Sequence, residues 1–470
     1  MKENKLKKGI LVILIANIIN LSLSVIRNFL MPKFLSIDSY ATIKSYQLYI
    51  SFISIFAFGY IDGMYLKYGG LNRNKIDSND FHKNISTFRI FQIIISLIMV
   101  IISLILKNLM FFAVGITIIA LNVTDYIKSF YQAIGEFDKY SKITKLTSIF
   151  LFIINIVLLL IIKIDNPYYY VFSNILIYYV IWIASENKLG IKNNINKKEL
   201  FFSKNELKFN ISSGIVLMLG LLLSNFMTGI DRWFIKITMD TKSFAAYSFS
   251  ASMESFLNYI TSPISITLYN YFCKEKNAKI INNKRKFIIF FLSLLIAIAF
   301  PIKFIIENYI DKYVLSINIL FILFVSQLLS SVVKCFYINL YKSQKMQKIY
   351  FKRIFTIFIF AILINIILFC ILKNMMAYAI GTLLSSALWI VLCERDLKKY
   401  CMELKEKIYI MIVIISYIYT GIFLNPIIGL LLYFITIVLF QIILYKNENI
   451  KYIKFELKKL INRRRKNNVK

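Results

Sequence analysis

Long runs of apolar residues constrain this chain more than any other feature. An α-helix needs about 20 apolar residues to cross the ~30 Å hydrocarbon core of a bilayer, and about fourteen such runs can be read from the sequence. Apolar residues make up 59% of the chain and charged residues 17%, whereas soluble chains average about 45–50% and ~25%. The sequence therefore predicts an all-α polytopic membrane protein. The predicted spans lie near 10–30, 43–65, 86–106, 109–132, 143–163, 168–185, 211–237, 243–270, 287–306, 313–341, 350–372, 376–393, 408–424 and 426–445.

The distribution of basic residues predicts the orientation of these spans. The chain has 57 lysines and arginines against 24 aspartates and glutamates. The segments that connect the spans lie on alternate sides of the membrane, and most of the cations fall in the segments of one side, such as 197–198, 284–286 and 463–466. Cytoplasmic segments of membrane proteins are enriched in lysine and arginine in this way. We therefore expect both termini in the cytoplasm, and we attribute the positive charge to membrane topology and not to nucleic acid binding.

A weak internal repeat predicts the arrangement of the helices. Ser39-Tyr40-Ala41 after the first span resembles Ser243-Phe244-Ala245 after the seventh, and Arg27 and Arg232 precede the two motifs at nearly the same distance. Halves separated by six spans are parallel repeats, related by a pseudo-twofold axis along the membrane normal. This predicts two six-helix lobes, which suits alternating access.

The predicted domains follow from this repeat. They comprise an N-terminal lobe at 1–190, a cytoplasmic linker at 191–208, a C-terminal lobe at 209–395 and two further helices at 396–445. The basic tail at 446–470 has apolar residues at helical spacing. It is either an amphipathic helix on anionic membrane lipids or a solvated tail.

Charged residues within the spans are the candidate functional residues, because a charge in the bilayer is costly and seldom faces lipid. Cations on four helices suit an anionic group, and the guanidinium fork fits phosphate oxygens. Acidic residues could carry a coupling H⁺ or Na⁺ ion. The candidate cations are Arg27, Arg232, Lys128 and Lys334, and the candidate acids are Asp62, Asp125, Asp231 and Glu254.

Most of these candidates also have a structural interpretation. Arg27, Asp231 and Arg232 could anchor helix ends at the interface, and Lys128 and Lys334 could simply follow the cytoplasmic excess of cations. Asp125 and Lys128 are three residues apart and could pair on one helix face. The glycines in Gly59-Tyr60-Ile61-Asp62-Gly63 predict tight helix packing. No cofactor or metal site is expected, since the chain has one histidine and its five cysteines show no ligand spacing.

Four motifs together resemble those of Wzx-type oligosaccharide flippases, in the multidrug/oligosaccharidyl-lipid/polysaccharide exporter superfamily. Residues 27–41 resemble the first-loop signature, and residues 58–63 resemble the helix-two segment. Residues 131–140 (YQAIGEFDKY) are similar to the turn after helix four, and residues 229–232 (GIDR), followed by Ala246-Tyr247-Ser248, are similar to helix seven. The chain departs from many relatives in having Ala41 and Ala245 in place of glycine.

The resemblance implies a flippase in the bacterial plasma membrane that moves undecaprenyl-diphosphate-linked oligosaccharides to the outer leaflet. The oligosaccharides would be capsule or O-antigen repeat units. It implies that Arg27 and Arg232 meet the diphosphate, and it makes a polysaccharide polymerase and glycosyltransferases expected partners. Two alternatives stay open: an ion-coupled drug or metabolite antiporter of the same superfamily, and a membrane-embedded glycan-modifying enzyme. The short external loops and the lack of a catalytic histidine weigh against the enzyme.

Overall fold

The computed structural model describes residues 2–71, 73–188, 202–227, 229–275 and 277–445. These residues form nineteen α-helices joined by short turns, and they contain no β-strand. Contacts between residues of the chain divide it into two compact units, residues 1–248 and 249–470. The predicted domain boundaries and the pseudo-twofold axis remain predictions. The predicted tail at 446–470 and most of the predicted linker at 191–208 lie outside the described residues.

The first unit contains ten helices, the last of which continues past its boundary. They are α1 (Lys2–Phe34), α2 (Ile37–Ile50), α3 (Tyr60–Tyr68), α4 (Ser78–Ile105), α5 (Leu109–Ala133), α6 (Phe137–Ile156), α7 (Pro167–Lys188), α8 (Lys204–Met227), α9 (Ile230–Thr238) and α10 (Thr241–Glu254).

The second unit contains the remaining nine helices. They are α11 (Phe256–Lys274), α12 (Ala278–Leu295), α13 (Ala299–Tyr309), α14 (Ile317–Val332), α15 (Ile338–Ser343), α16 (Gln347–Leu372), α17 (Met376–Asp396), α18 (Leu404–Phe423) and α19 (Pro426–Tyr445).

The all-α membrane fold predicted from the sequence is confirmed. Within the described residues, twelve helical segments are long and apolar enough to cross a membrane, and a bent pair adds a thirteenth. Twelve of the predicted spans coincide with these segments. The seventh, at 211–237, matches one only in its first part, because α8 ends at Met227 and the residues from Ile230 onward form the separate short helix α9. The eighth, at 243–270, is helical but divided into α10 and α11, which meet at Ser255. Neither of these helices is a candidate span by itself.

Short polar caps set the starts of several helices. The Asn108 side chain accepts hydrogen bonds from the backbone N–H groups of Met110 and Phe111 at 3.0 and 3.1 Å, and Asp77 and Asn277 cap α4 and α12 in the same way. Such caps satisfy N–H groups that have no partner within the helix. Long apolar helices can therefore follow each other after turns of only a few residues.

The second predicted span is bent by 59° between residues 37–57 and α3. Phe58 and Gly59 have φ angles of 48° and 80°, in the left-handed region that interrupts a right-handed helix. The bend separates α2, which carries Lys44, from α3, which carries Asp62. One predicted span thus contributes to two different sites.

Glycines bring α3 and α8 into close contact. A methyl group on Gly63 would overlap the backbone of Asn210, and one on Gly214 would overlap the backbone of Gly59. The tight packing predicted from the Gly59–Gly63 spacing is confirmed, and its partner is α8. Small residues at this spacing allow two helix backbones to approach closely.

Candidate functional site

Three cations of the first unit gather where α1, α2 and α9 meet, and we call Arg27, Lys44 and Arg232 the cation cluster. Lys44 is 8% exposed, and its ammonium donates a hydrogen bond to Oδ1 of Asn28 at 3.1 Å. The ammonium also lies 5.2 Å from the centre of the Tyr40 ring. Arg27 and, after it, Arg232 are close enough for their charges to repel Lys44. The fold thus brings together the two arginines selected from the sequence.

Asp231 holds the start of α9 beside this cluster. Its Oδ1 accepts a hydrogen bond from the backbone N–H of Arg232 at 2.8 Å, and its Oδ2 accepts one from the Tyr247 hydroxyl at 2.5 Å. Asp231 is 4% exposed. These bonds fix α9 to α10 and so fix the point from which the Arg232 side chain projects.

A fourth cation, Lys236, lies one helical turn after Arg232. Its ammonium donates to the Ser45 hydroxyl at 2.6 Å and lies 5.4 and 5.1 Å from the ring centres of Tyr49 and Phe244. The ring of Tyr49 packs edge-on against Trp233 at 5.2 Å. An aromatic wall, Tyr49, Phe52 and Trp233, therefore borders the cations.

Lys44 and Lys236 were not selected from the sequence. Lys44 lies at the edge of the predicted span 43–65, where a lysine is typical of the interface. Lys236 follows an arginine that was itself open to an anchoring interpretation. Both lysines nonetheless lie close to the internal repeat. Lys44 follows the motif Ser39-Tyr40-Ala41, and Lys236 precedes the motif Ser243-Phe244-Ala245. This position beside the repeat is a sequence signal that could have identified them.

Three other candidates line one cavity of about 300 Å³ within the first unit. Asp62 of α3 and Asp125 and Lys128 of α5 share it with Ser54 and Gln132. The Lys128 ammonium lies 2.5 Å from Oδ1 of Asp125, which confirms the pairing predicted from their spacing. We call this space the acid cavity.

The two acids of this cavity differ in their partners. Asp125 is neutralised by Lys128 across one helical turn. Asp62 forms no ion pair with any residue that the structure describes. A carboxylate in a partly buried cavity without a fixed counter-charge is suited to bind a proton or a small cation.

The last two candidates lie in the second unit and attract each other. Glu254 ends α10, and its charge acts on Lys334. Lys334 lies in a π-helical turn, residues 333–337, which interrupts the helix between α14 and α15. Its carbonyl accepts a hydrogen bond from the Ser265 hydroxyl at 3.0 Å. Single π-turns often occur at functional positions.

The structure thus places the eight candidates in three groups. Arg27, Arg232 and Asp231 are joined by Lys44, while Asp62, Asp125 and Lys128 share a cavity. Glu254 and Lys334 form a separate pair in the second unit. Phosphate binding fits the first group best, because it contains guanidinium groups beside a buried ammonium.

Comparisons with known proteins identify the fold. No family model matches the chain, and no curated protein matches it. The solved structure of "Lipid II flippase MurJ, inward closed conformation" is 13% identical, with a TM-score of 0.68 over 93% of this chain and 99% of that chain. The MATE transporter VcmN of Vibrio cholerae gives 12% identity and a TM-score of 0.47, over 84% of this chain and 97% of that one. The chain is therefore similar in fold to the lipid II flippase MurJ.

Proposed function

We propose that this protein is a flippase that moves undecaprenyl-diphosphate-linked oligosaccharides, such as capsule or O-antigen units, from the cytoplasmic to the outer leaflet by alternating access. The observation that carries the proposal is the cation cluster of Arg27, Lys44 and Arg232. The protein would act as a transporter and not as an enzyme.

The cluster suits a diphosphate for a physical reason. Two guanidinium groups offer paired N–H donors that match phosphate oxygens, and a buried ammonium adds a third positive charge. Asp231 lies beside these cations, yet the charges of Arg27 and Arg232 still repel Lys44, and such repulsion is unfavourable in an apolar environment. An arriving diphosphate would relieve this repulsion, so affinity for the anion follows from the arrangement of the cations.

The surroundings of the cluster suit the sugar and the lipid. Tyr49 and Trp233 lie next to Lys236, and rings that combine an apolar body with a polar edge would suit a sugar. The MurJ fold supports a lipid-linked substrate by analogy, since that protein is described as a lipid II flippase. The sequence resemblance to Wzx-type flippases favours an oligosaccharide carrier over a peptidoglycan precursor.

The acid cavity is our candidate for coupling to H⁺ or Na⁺. Of the two acids that line this cavity, Asp62 forms no ion pair with any residue that the structure describes, so it can exchange a cation without breaking an internal ion pair. Asp125 is less suited, because releasing it would leave Lys128 without its partner. Asp62 therefore takes the coupling role in this proposal.

An ion-coupled drug or metabolite antiporter is the second candidate function. The acid cavity favours it, because two carboxylates and one lysine line that space. A cationic drug would meet Asp62 there, whereas a diphosphate would meet the cation cluster. The two functions thus depend on different residues and can be separated by mutation.

The test measures surface-glycan export in cells whose only flippase is the variant. We expect Arg27→Lys with Arg232→Lys to reduce export strongly although both charges remain, because lysine lacks the two-donor fork. Arg89→Lys is the matched control, since Arg89 pairs with Glu186 at 3.2 Å outside the cluster. Wild-type export by the double variant would reject the diphosphate role. Loss of drug resistance without loss of export would favour the antiporter.

A further inference from the structure

A second cavity in the first unit lies apart from both groups described above. Its volume is about 310 Å³, and it shares no lining residue with the acid cavity. It opens between α6 and α7 where both helices approach the turn after α5. We call it the α6–α7 cavity. Its lining residues are Tyr131, Lys139, Lys142, Ile143, Leu146, Ile181, Ala184 and Ser185.

Helical spacing explains how these residues come to face one space. The four from α6 follow the spacing i, i+3, i+4, i+7, from Lys139 to Leu146, and the three from α7 follow i, i+3, i+4. Residues at these positions share one face of a helix. The cavity is thus bounded by one stripe of each helix, with Tyr131 of α5 between them.

The cavity has a basic end and an apolar end. Lys139 and Lys142 are exposed, whereas Ile143 and Ile181 are buried at 8% and 4% exposure. Leu146 lies one turn further from the lysines than Lys142 and Ile143. A ligand that fills this space must be charged at one end and apolar at the other.

The charges around the basic end leave a cation available. Glu136 is contacted by Lys139 at 2.7 Å and by Arg73 at 3.3 Å, and Lys139 also lies 5.2 Å from the centre of the Tyr131 ring. Asp138, next to Lys139, is exposed, and Glu186, next to Ser185, pairs with Arg89 at 3.2 Å. Lys142 forms no ion pair within the described ranges. The mouth therefore presents more positive than negative charge.

The topology places this mouth at the cytoplasmic leaflet. The positive-inside pattern assigns the turn between α5 and α6 to the cytoplasmic side. That leaflet is rich in anionic lipids, and basic pockets between transmembrane helices on this side bind their headgroups. The cavity volume lies at the lower end of the ~300–1,000 Å³ range of small-molecule sites.

We propose that the α6–α7 cavity binds one anionic phospholipid of the cytoplasmic leaflet. The phosphodiester lies between Lys139 and Lys142, and part of one acyl chain lies against Ile143, Leu146 and Ile181. This lipid is a resident ligand and not the transported substrate. The proposal is independent of the transport function, because it depends on none of the residues of the cation cluster or the acid cavity.

Native mass spectrometry of the purified full-length protein tests this proposal. The protein is titrated with phosphatidylglycerol or with phosphatidylcholine of the same acyl chains. We expect the first phosphatidylglycerol to bind more tightly than phosphatidylcholine, and Lys139→Gln with Lys142→Gln to weaken that binding about fivefold for each lysine removed. The matched control is Lys348→Gln with Lys352→Gln, two exposed lysines at the start of α16.

A second variant tests the apolar end. Ala184→Phe places a ring in the cavity and should weaken phosphatidylglycerol binding while both lysines remain. If this variant misfolds, the paired lysine variant still decides the matter, since its side chains are exposed. Equal binding of the two lipids, or equal losses in the lysine pair and its control, would overturn the proposal. Displacement of the lipid by millimolar inorganic phosphate alone would also overturn it, since the acyl chain would then contribute nothing.

Discussion

The buried ammonium of Lys44 donates a hydrogen bond to Oδ1 of Asn28, 3.1 Å away on the preceding helix. Asn28 follows Arg27 directly, so this bond fixes the bent second span to the part of α1 that carries the arginine. It also holds the Lys44 charge near Arg27 and Arg232, whose charges both repel it. The bond therefore opposes the tendency of the cation cluster to spread apart.

Removing this ammonium should impair transport more than it impairs folding. We expect Lys44→Met to reduce export about 10- to 100-fold, because the variant cannot form the charge-assisted hydrogen bond that Lys44 would donate to a phosphate of the substrate. Lys44→Arg should retain part of the activity. Glycan export and protein level are measured together in the same cells. Lys208→Met, at an exposed position of α8, is the control and should export normally. Full activity of Lys44→Met would remove Lys44 from the proposed site.

Asp62 and Asp125 should respond differently to neutralisation. Asp62→Asn should abolish the response of transport to an imposed H⁺ or Na⁺ gradient, since no other acid of the cavity is without an ion pair. Asp125→Asn should instead lower stability, because it leaves Lys128 without its partner 2.5 Å away. Adding Lys128→Met should restore much of that stability. Transport is measured in vesicles with defined gradients, and gradient-dependent transport by Asp62→Asn would contradict the coupling role.

The contact between α3 and α8 should tolerate no side chain at its glycines. Gly214→Ala would push a methyl group into the backbone of Gly59, so we expect a loss of about 1–3 kcal/mol in stability and a lower melting temperature in detergent. Gly220 lies on the same helix, and nothing lies within 4 Å of a methyl group placed there. Gly220→Ala should therefore be neutral or slightly stabilising. Equal melting temperatures for the two variants would argue against this packing.

The second unit contains a fully buried ion pair that offers a double-mutant cycle. Arg285 donates to both carboxylate oxygens of Glu406, at 3.0 and 2.6 Å, and both side chains are completely buried. Arg285 also donates to the carbonyl of Tyr400. Arg285→Met should cost about 3–5 kcal/mol, because it leaves a buried carboxylate without a counter-charge.

Replacing both partners should recover most of this loss. Arg285→Met with Glu406→Leu removes both buried charges, although Glu406 also accepts a hydrogen bond from the backbone N–H of Glu403 that caps α18. The neighbouring pair Lys286–Glu403, at 3.0 Å, is the control, since Glu403 is about half exposed. Breaking it with Lys286→Met should cost less than about 1 kcal/mol. Thermal unfolding in detergent is measured for the wild type, the single variants Arg285→Met and Glu406→Leu, the double variant, and the control Lys286→Met.

Cysteine labelling tests the orientation of the spans. In a background without the five native cysteines, cysteines at Asn108, Asn166 and Asn374 should react with a membrane-impermeant maleimide added outside whole cells. A cysteine at Asp138, in the first turn of α6, should react only after the cells are opened. All four positions are exposed, so access and not burial decides the result. Labelling of Asp138 from outside would invert the predicted topology and place the α6–α7 cavity in the outer leaflet.

Features that depend on neighbours along the chain could be predicted from the sequence. The spans follow from the length of the apolar runs, since a helix must bury about 20 residues in lipid. The Asp125–Lys128 pair follows from one helical turn, and the close packing at Gly59 and Gly63 follows from their spacing. In each case 3.6 residues per turn convert sequence distance into spatial distance, so no tertiary information is needed.

Features that join distant segments were decided by the tertiary structure alone. Lys44 joins Arg27 and Arg232 only in the folded chain, where α2 contacts both α1 and α9. Glu406 meets Arg285 across 121 residues, and α8 supplies the partner of the α3 glycines. Apolar runs determine that helices form and cross the membrane, but lipid does not favour one apolar face over another. Close packing and buried polar pairs make that choice, and both depend on which helices become neighbours.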